Sequence, residues 1–445
     1  MAVSPARAAA FEILLRVERD ESYASELLHS SQLATLSSID HGLATELVMG
    51  VLRWRPLLDR RLASASSQKL DRLDSEVLAA LRLGLYQLQF LSRVPARAAI
   101  FESVELVKAA RKSSAAPFVN AILRKAERNT AESTLEAIVN RADAGQLAAC
   151  SAHPEWLVAR WVERYGLAAA QQICLHNQSV PGTAIHLHDD QAERELAEAG
   201  VLLRPGLLLS GARRVDSGDV TKTRAYREGR ISIQDEASQL IALLAGQGEK
   251  ILDCCAAPGS KTALLAKRNP RASVFASELH PHRARLLRHL VNLPNVRIVA
   301  ADARHLPFAS GFDRILADVP CSGTGTLAHN PEIKWRLKPG DLSDLQSRQI
   351  AILKSALAHL AAGGRLVYST CSLEPEENEA VVEAALDGAS GLSQIDCRAE
   401  LEQLRRSNEL CWDDVGSLLA GSYLRTIPGE HPCDGFFATI LERKA

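Results

Sequence analysis

No two cysteines in this 445-residue chain stand at C-x-x-C spacing, and no histidines cluster at metal-ligand intervals. A zinc centre has no basis in the sequence, and no metal is expected. The nine cysteines, with Cys254 and Cys255 adjacent and no repeating spacing, exclude a disulfide framework and fit a reducing compartment. Met1 to Ala10 lacks the charged start and apolar core of a secretory signal. No apolar run is long enough to cross a bilayer. The expectation is a soluble, cytoplasmic protein without a membrane partner. An excess of charge of one sign is missing too, since 52 basic against 53 acidic residues leave a formal net charge of -1. That excludes a polybasic body but not a local basic face. Arg53, Arg55, Arg60 and Arg61 form one candidate face, and Arg111, Lys112, Arg124, Lys125 and Arg128 another. On charge alone, solvated helix faces account for them equally well.

What is present is length for two or three cores and a change of texture along the chain. From Pro5 to about Asn129 apolar residues recur at helical spacing, as in Phe11, Leu14, Leu15 and Val17, or Val77, Leu78, Leu81 and Leu85. Thr130 to Cys150 reads as a helical connection. A further helix starts at His153-Pro154, with Trp156, Leu157 and Trp161 facing inward. Short strands, Thr183 to Leu187 and Val201 to Leu209, then flank a helix near Gln191 to Ala199. From Gln234 onward strand-length apolar runs alternate with helical segments: Lys250 to Cys254, Ser273 to Ser277, Val296 to Ala300, Arg314 to Ala317 and Arg365 to Ser369. That alternation predicts a largely parallel, helix-covered sheet. The reading is a multidomain chain: an all-α domain over 1–130, a helical connection and small α+β module over 131–230, and a Rossmann-like α/β domain over 231–445.

In such a sheet, ligands and catalytic groups gather beyond the carboxyl ends of the strands. The first strand runs into Cys254-Cys255-Ala256-Ala257-Pro258-Gly259-Ser260-Lys261 and then a helix. Small residues allow close approach to the backbone, and a helix start offers free N–H groups. The turn is neither G-x-G-x-x-G nor a Walker A loop. Glu278 ends the next strand, about 20 residues on, where an acid commonly takes ribose hydroxyls. Asp302 closes the third strand, placed to accept from an adenine amino group. Either acid alone reads first as a helix cap. Together they describe a nucleoside ligand without a polyphosphate.

The fourth and fifth strands end in Asp318-Val319-Pro320-Cys321-Ser322 and Ser369-Thr370-Cys371-Ser372. A lone unpaired cysteine is most often a packed small side chain. Two at neighbouring strand ends, beside a cofactor-type turn, point to thiolate addition to an electron-poor pyrimidine carbon. The acidic run Glu374 to Glu379 reads as a helix start favoured by the dipole. His431-Pro432-Cys433-Asp434-Gly435-Phe436-Phe437 precedes the last strand.

These strings, with Asn330-Pro331-Glu332-Ile333-Lys334-Trp335-Arg336, resemble the Nop2/Sun family of S-adenosylmethionine-dependent RNA cytosine-C5 methyltransferases from about Gly229 to Arg443. Phe118-Val119-Asn120-Ala121-Ile122-Leu123-Arg124 looks like the last helix of a NusB-type RNA-binding domain. The whole chain is similar to the family's bacterial small-subunit branch. The resemblance implies Cys371 as nucleophile, Cys321 as the thiol that helps release product, and Asp318 as the acid at the cytosine edge and near the cofactor. It implies an S-adenosyl-L-methionine pocket made by Cys255, Ala256, Ala257, Pro258, Gly259, Ser260, Lys261, Glu278, Asp302 and Asp318. It also implies 16S rRNA, or a small-subunit assembly intermediate, as partner of a monomer. Ser260, Glu278 and Ala438 stand where the family more often has glycine, aspartate and an aromatic residue. A tRNA or DNA cytosine methyltransferase is one alternative; the second cysteine argues against the DNA enzyme, since enzymes of that kind resemble the P-C string and lack the T-C-S cysteine. An RNA-binding assembly factor with little turnover is another.

Overall fold

The computed structural model describes residues 3–20, 22–28, 30, 33, 35–127, 138, 143–309 and 311–445. Arg128, the boundary at 130 and most of the connection before 143 lie outside the described residues. The chain forms two compact units, Met1–Val180 with Leu327–Arg336, and Pro181–Thr326 with Leu337–Ala445. These units differ from the segments read in the sequence. Residues 143–180 go with the helices, 181–230 with the sheets, and a ten-residue stretch just after the first thiol string goes with the helices too.

The helical unit is built from Pro5–Arg19, Ala24–Leu28, Ser38–Ala65, Ser75–Phe90, Ala96–Ala109, Ala116–Glu127, Ala144–Ser151 and Glu155–Gln178. Residues at helical spacing form its core: Phe11, Leu14, Leu15, Val77, Leu81, Leu85, Leu157 and Trp161 are buried. Ser37 and Asp143 cap their helices by accepting from Asp40 N and Gln146 N. Pro56 lies inside Ser38–Ala65 and has no N–H for the Leu52 carbonyl. The Trp335 indole Nε1 donates to that carbonyl instead, at 2.9 Å. Beside it the Lys334 ammonium donates to Arg53 O at 3.0 Å, and the Arg53 guanidinium donates to Ala328 O at 3.1 Å. Segment 327–336 is thus held in the helical unit by bonds that the proline partly creates.

The first candidate basic face is absorbed by this packing. Arg53 is 2% exposed, and burial lowers its pKa. Arg55 pairs with Glu18 at 2.9 Å, while Arg60 and Arg61 donate to Ala149 O and Gln89. In the second cluster Lys112 pairs with Asp74 and Lys125 donates to Ala65 O. Arg111 and Arg124 remain exposed.

The second unit holds two sheets. The smaller is antiparallel, order β2-β3-β1-β4, from β1 Thr183–Leu187, β2 Leu202–Pro205, β3 Ala212–Ser217 and β4 Ile231–Ile233. Ile185, Leu196, Val201 and Ile231 form its core with the helix Asp190–Glu198. The sequence gives no sign of β3, because Ala-Arg-Arg-Val-Asp-Ser is largely solvated and shows no apolar alternation. The larger sheet contains β5 Lys250–Asp253, β6 Ser273–Glu278, β7 Val296–Ala300, β8 Phe312–Asp318, β9 Leu360–Thr370, β10 Leu392–Ile395, β11 Leu419–Ala420, β12 Tyr423–Thr426 and β13 Phe436–Arg443. The order β9-β8-β5-β6-β7 is parallel, as expected. Beyond β9 the sheet turns antiparallel through β13, which pairs with both β12 and β10. Order reverses at β5, between β8 and β6, so a crevice opens at the carboxyl ends of β5 and β8.

Candidate functional site

Five parallel strands deliver the candidate residues to one end of the sheet: Asp253 ends β5, Glu278 ends β6, Asp302 follows β7, Asp318 ends β8 and Thr370 ends β9. The turn after β5 holds Gly259 at φ +121°, and a Cβ there would lie 2.5 Å from Val291 Cγ2 and 2.6 Å from Leu287 Cδ1. Glycine is required twice over, by backbone conformation and by space. The helix Ser260–Arg268 follows without a side-chain cap, leaving its first N–H groups for a ligand.

Around that turn the acids retain accepting capacity. Asp253 takes the Thr262 hydroxyl at 2.7 Å on Oδ2, whereas its buried Oδ1 has no hydrogen-bond partner. Burial pushes the Asp253 carboxyl up to about 6. Glu278 Oε1 accepts from His280 N at 2.9 Å. Asp302 accepts from Arg304 N and pairs with the Arg304 guanidinium at 2.6 Å, which holds its carboxyl below the ordinary range. Asp302 therefore acts as a local cap, the bland role the sequence offered, whereas Glu278 ties the turn before the helix Pro281–Leu290 without capping it. A hydroxyl or amino donor fits the lone pairs that remain.

At β8 and β9 the two cysteines meet. Their sulfurs lie 3.4 Å apart, within hydrogen-bond reach. The bond to Cys371, and then burial, push the Cys321 thiol well above its usual pKa. Lys261 pairs with Asp318 at 2.8 Å, and Asp318 Oδ1 takes the Ser369 hydroxyl at 2.7 Å. Burial lowers the Lys261 ammonium, but attraction to Asp318, and less strongly to Cys371, outweighs it and the net shift is upward. A fixed cation therefore stands within electrostatic reach of Cys371.

Three loops close on the pair. Gly325 N donates to Cys371 O at 2.9 Å, Gly435 N to Gly325 O at 2.8 Å, and Leu373 N to Thr324 Oγ1 at 2.9 Å. The acidic run does form a helix start, a 3-10 turn Pro375–Glu377 leading into the helix Glu379–Leu386. Within it Glu377 is fully buried and takes bonds from both cysteine loops, a role the sequence reading did not give it. Gln349 and Asp434 likewise had no role in the sequence reading. The one available signal was the serine that follows each cysteine, because both serines bond to Glu377.

Residues 240–442 match the family described as 16S rRNA methyltransferase RsmB/F, and residues 4–128 match the NusB family. A probable ribosomal RNA small subunit methyltransferase B from Bacillus subtilis is 33% identical over 452 residues, covering 98% of each chain. The ribosomal RNA small subunit methyltransferase B of Vibrio cholerae is 33% identical over 91% of this chain and 90% of its own. Among solved structures, one described as PH0851 covers both chains fully at TM-score 0.82 and 20% identity. NSun6 from Pyrococcus horikoshii with SFG covers 66% of this chain and 98% of its own at TM-score 0.56 and 18% identity. With a fold shared along its whole length and a third of its residues identical to such a relative, the chain belongs to the RsmB/F family of 16S rRNA methyltransferases.

Proposed function

We propose that the protein methylates C5 of a specific cytosine in 16S rRNA, as a monomer in the cytoplasm, through a covalent adduct between Cys371 and C6 of the base. The observation that carries this reading is the 3.4 Å pair of thiols at the ends of adjacent parallel strands, beside the Lys261–Asp318 ion pair. Cytosine C5 is a poor nucleophile until a thiolate adds to C6 and turns the ring into an enamine. Cys371 is assigned that addition. Asp318 is assigned to hold a proton at N3 and the exocyclic amino group as charge develops there. Cys321 is assigned to the later stage, where as a thiolate it takes the C5 proton while the C6–S bond breaks, the Cys371 sulfur leaves as thiolate and the aromatic ring is restored. Both ring faces must be reached, so the base leaves its stack.

The Gly259 turn, Cys255 to Lys261, Asp253, Glu278 and Asp302 are assigned to S-adenosyl-L-methionine. The fit rests on the unpartnered Asp253 Oδ1 and the uncapped helix start. When bound, that cofactor supplies an electrophilic methyl group.

The test uses 16S rRNA, labelled S-adenosylmethionine and denaturing gels. Cys371→Ala is expected to abolish methyl transfer and form no adduct. Cys321→Ala is expected to accumulate a denaturant-resistant protein–RNA species, and the double variant to lose it. An adduct in Cys371→Ala but not in Cys321→Ala would reverse the two roles. Absence of methyl transfer by the intact protein would remove the reading altogether.

A further inference from the structure

We propose that Glu377 is a positioning residue that fixes the separation of the Cys321 and Cys371 thiols, an inference that deepens the methyltransferase reading and rests on it. Its carboxylate is 0% exposed and gathers both cysteine loops. Oε1 accepts from the Ser322 N–H at 2.8 Å and from Gln349 Nε2 at 2.9 Å. Oε2 accepts from the Ser322 and Ser372 hydroxyls, each at 2.5 Å. Ser322 follows Cys321 and Ser372 follows Cys371, so a single side chain holds each cysteine at a remove of one residue.

The loops come from different strands. Besides Glu377 they are joined by the Gly325 N and Leu373 N bonds given above and by contacts of the Ser322 and Thr324 hydroxyls with the Ser372 hydroxyl at 3.0 and 3.4 Å. Glu377 is the group that takes bonds from both serines at once. Gln349 extends the hold to the other side of Cys321 by donating to Pro320 O at 2.9 Å. Asn378 does the same around Cys371, taking the Thr370 hydroxyl at 2.6 Å and donating to Ser372 O at 2.9 Å. The Tyr368 hydroxyl donates to the Glu377 carbonyl at 2.6 Å, which anchors the hub itself. All four groups that meet the carboxylate are donors. An ionised carboxylate accepts from all of them, whereas an amide turns a donor of its own toward at least one pair. Catalytic groups work only when held within about 0.5 Å of the productive geometry, and two thiols acting in turn on one base set such a demand.

The test compares Glu377→Gln with the full-length wild-type protein, each checked for native circular dichroism and S-adenosylmethionine affinity. Dibromobimane, which fluoresces on alkylating two neighbouring thiols, reads the Cys321–Cys371 separation without RNA, with peptide mapping to identify the product. The expected result is at least a tenfold slower Cys321–Cys371 cross-link and at least a tenfold lower kcat on 16S rRNA, with cofactor affinity unchanged. Wild-type cross-linking in a folded Glu377→Gln protein overturns the proposal. Should Glu377→Gln fail to fold, the Ser322→Ala/Ser372→Ala double variant, which keeps the buried acid but removes both hydroxyl ties, is held to the same criterion. If the intact protein cross-links but methylates no rRNA, the methyltransferase reading fails, and the cross-linking comparison still decides the role of Glu377.

Discussion

Asp434 shows at the scale of one residue how burial sets charge near the thiols. It is 5% exposed, and burial pushes its carboxyl up to about 7. Its pKa is higher folded than unfolded, so the native state binds the extra proton between about pH 4 and pH 7. Stability linked to this group is therefore greatest when it is protonated and falls as pH rises through that window. Asp253, raised to about 6, works in the same direction over a narrower range. Asp434→Asn removes the ionisation while keeping the shape. The Tm of the variant minus that of the wild type is expected to rise by a few degrees between pH 5.5 and pH 8. Thermal melts across that range check it, and a difference that does not change with pH would show that the carboxyl does not titrate there. The string containing Asp434 was visible in the sequence, but its charge state was not. Desolvation depends on what surrounds the side chain, and those neighbours come from distant parts of the chain.

At the scale of elements, the loops after β8 and β9 and the one before β13 depend on two glycines in contact. A Cβ on Gly325 would lie 2.2 Å from Gly435 O, and one on Gly435 would lie 2.9 Å from Gly325 Cα. These obstacles are backbone, which cannot rotate away. Gly325→Ala is expected to push the β8 loop off Cys371 O, lower unfolding stability by about 1–3 kcal/mol, and cost most of the methyl transfer. Urea unfolding and rRNA methylation measure the two effects, and wild-type values in both would mean that the close approach is dispensable. Much of this architecture was legible beforehand. The apolar runs that became β5, β6, β8 and the second half of β9 are largely buried, β7 being only half-buried, and their carboxyl ends carry the acids and thiols that stood out. The antiparallel extension was less legible, because β10 to β12 have only two to four residues each. β10 and β12 owe their existence to pairing with β13, and β11 to pairing with β12, rather than to their own pattern.

For the whole molecule, the sequence reading placed Asn330 to Arg336 with the catalytic strings, and the folded chain places those residues among the helices. No periodicity in seven residues signals that placement. It follows from Pro56, which leaves a carbonyl for Trp335, and from a cluster that buries Lys334 to 1% exposure. Burial, followed by the Arg53 charge, holds the Lys334 ammonium well below its usual range, so this contact is costly to expose and re-form. Deleting the helices is therefore not the clean removal of an RNA-binding module that a linear domain map implies. A chain lacking residues 1–180 keeps Leu327–Arg336, which begins six residues beyond Cys321, but loses every partner recorded above for Lys334 and Trp335. Trypsin is expected to cleave the shortened chain after Lys334 or Arg336 under conditions in which the full-length chain resists at both positions. Local unfolding governs such cleavage. Mass spectrometry of the earliest fragments reads the sites directly. Equal resistance at both bonds in the two chains would mean that the segment finds its structure without the helices, and that the thiol loop is independent of them.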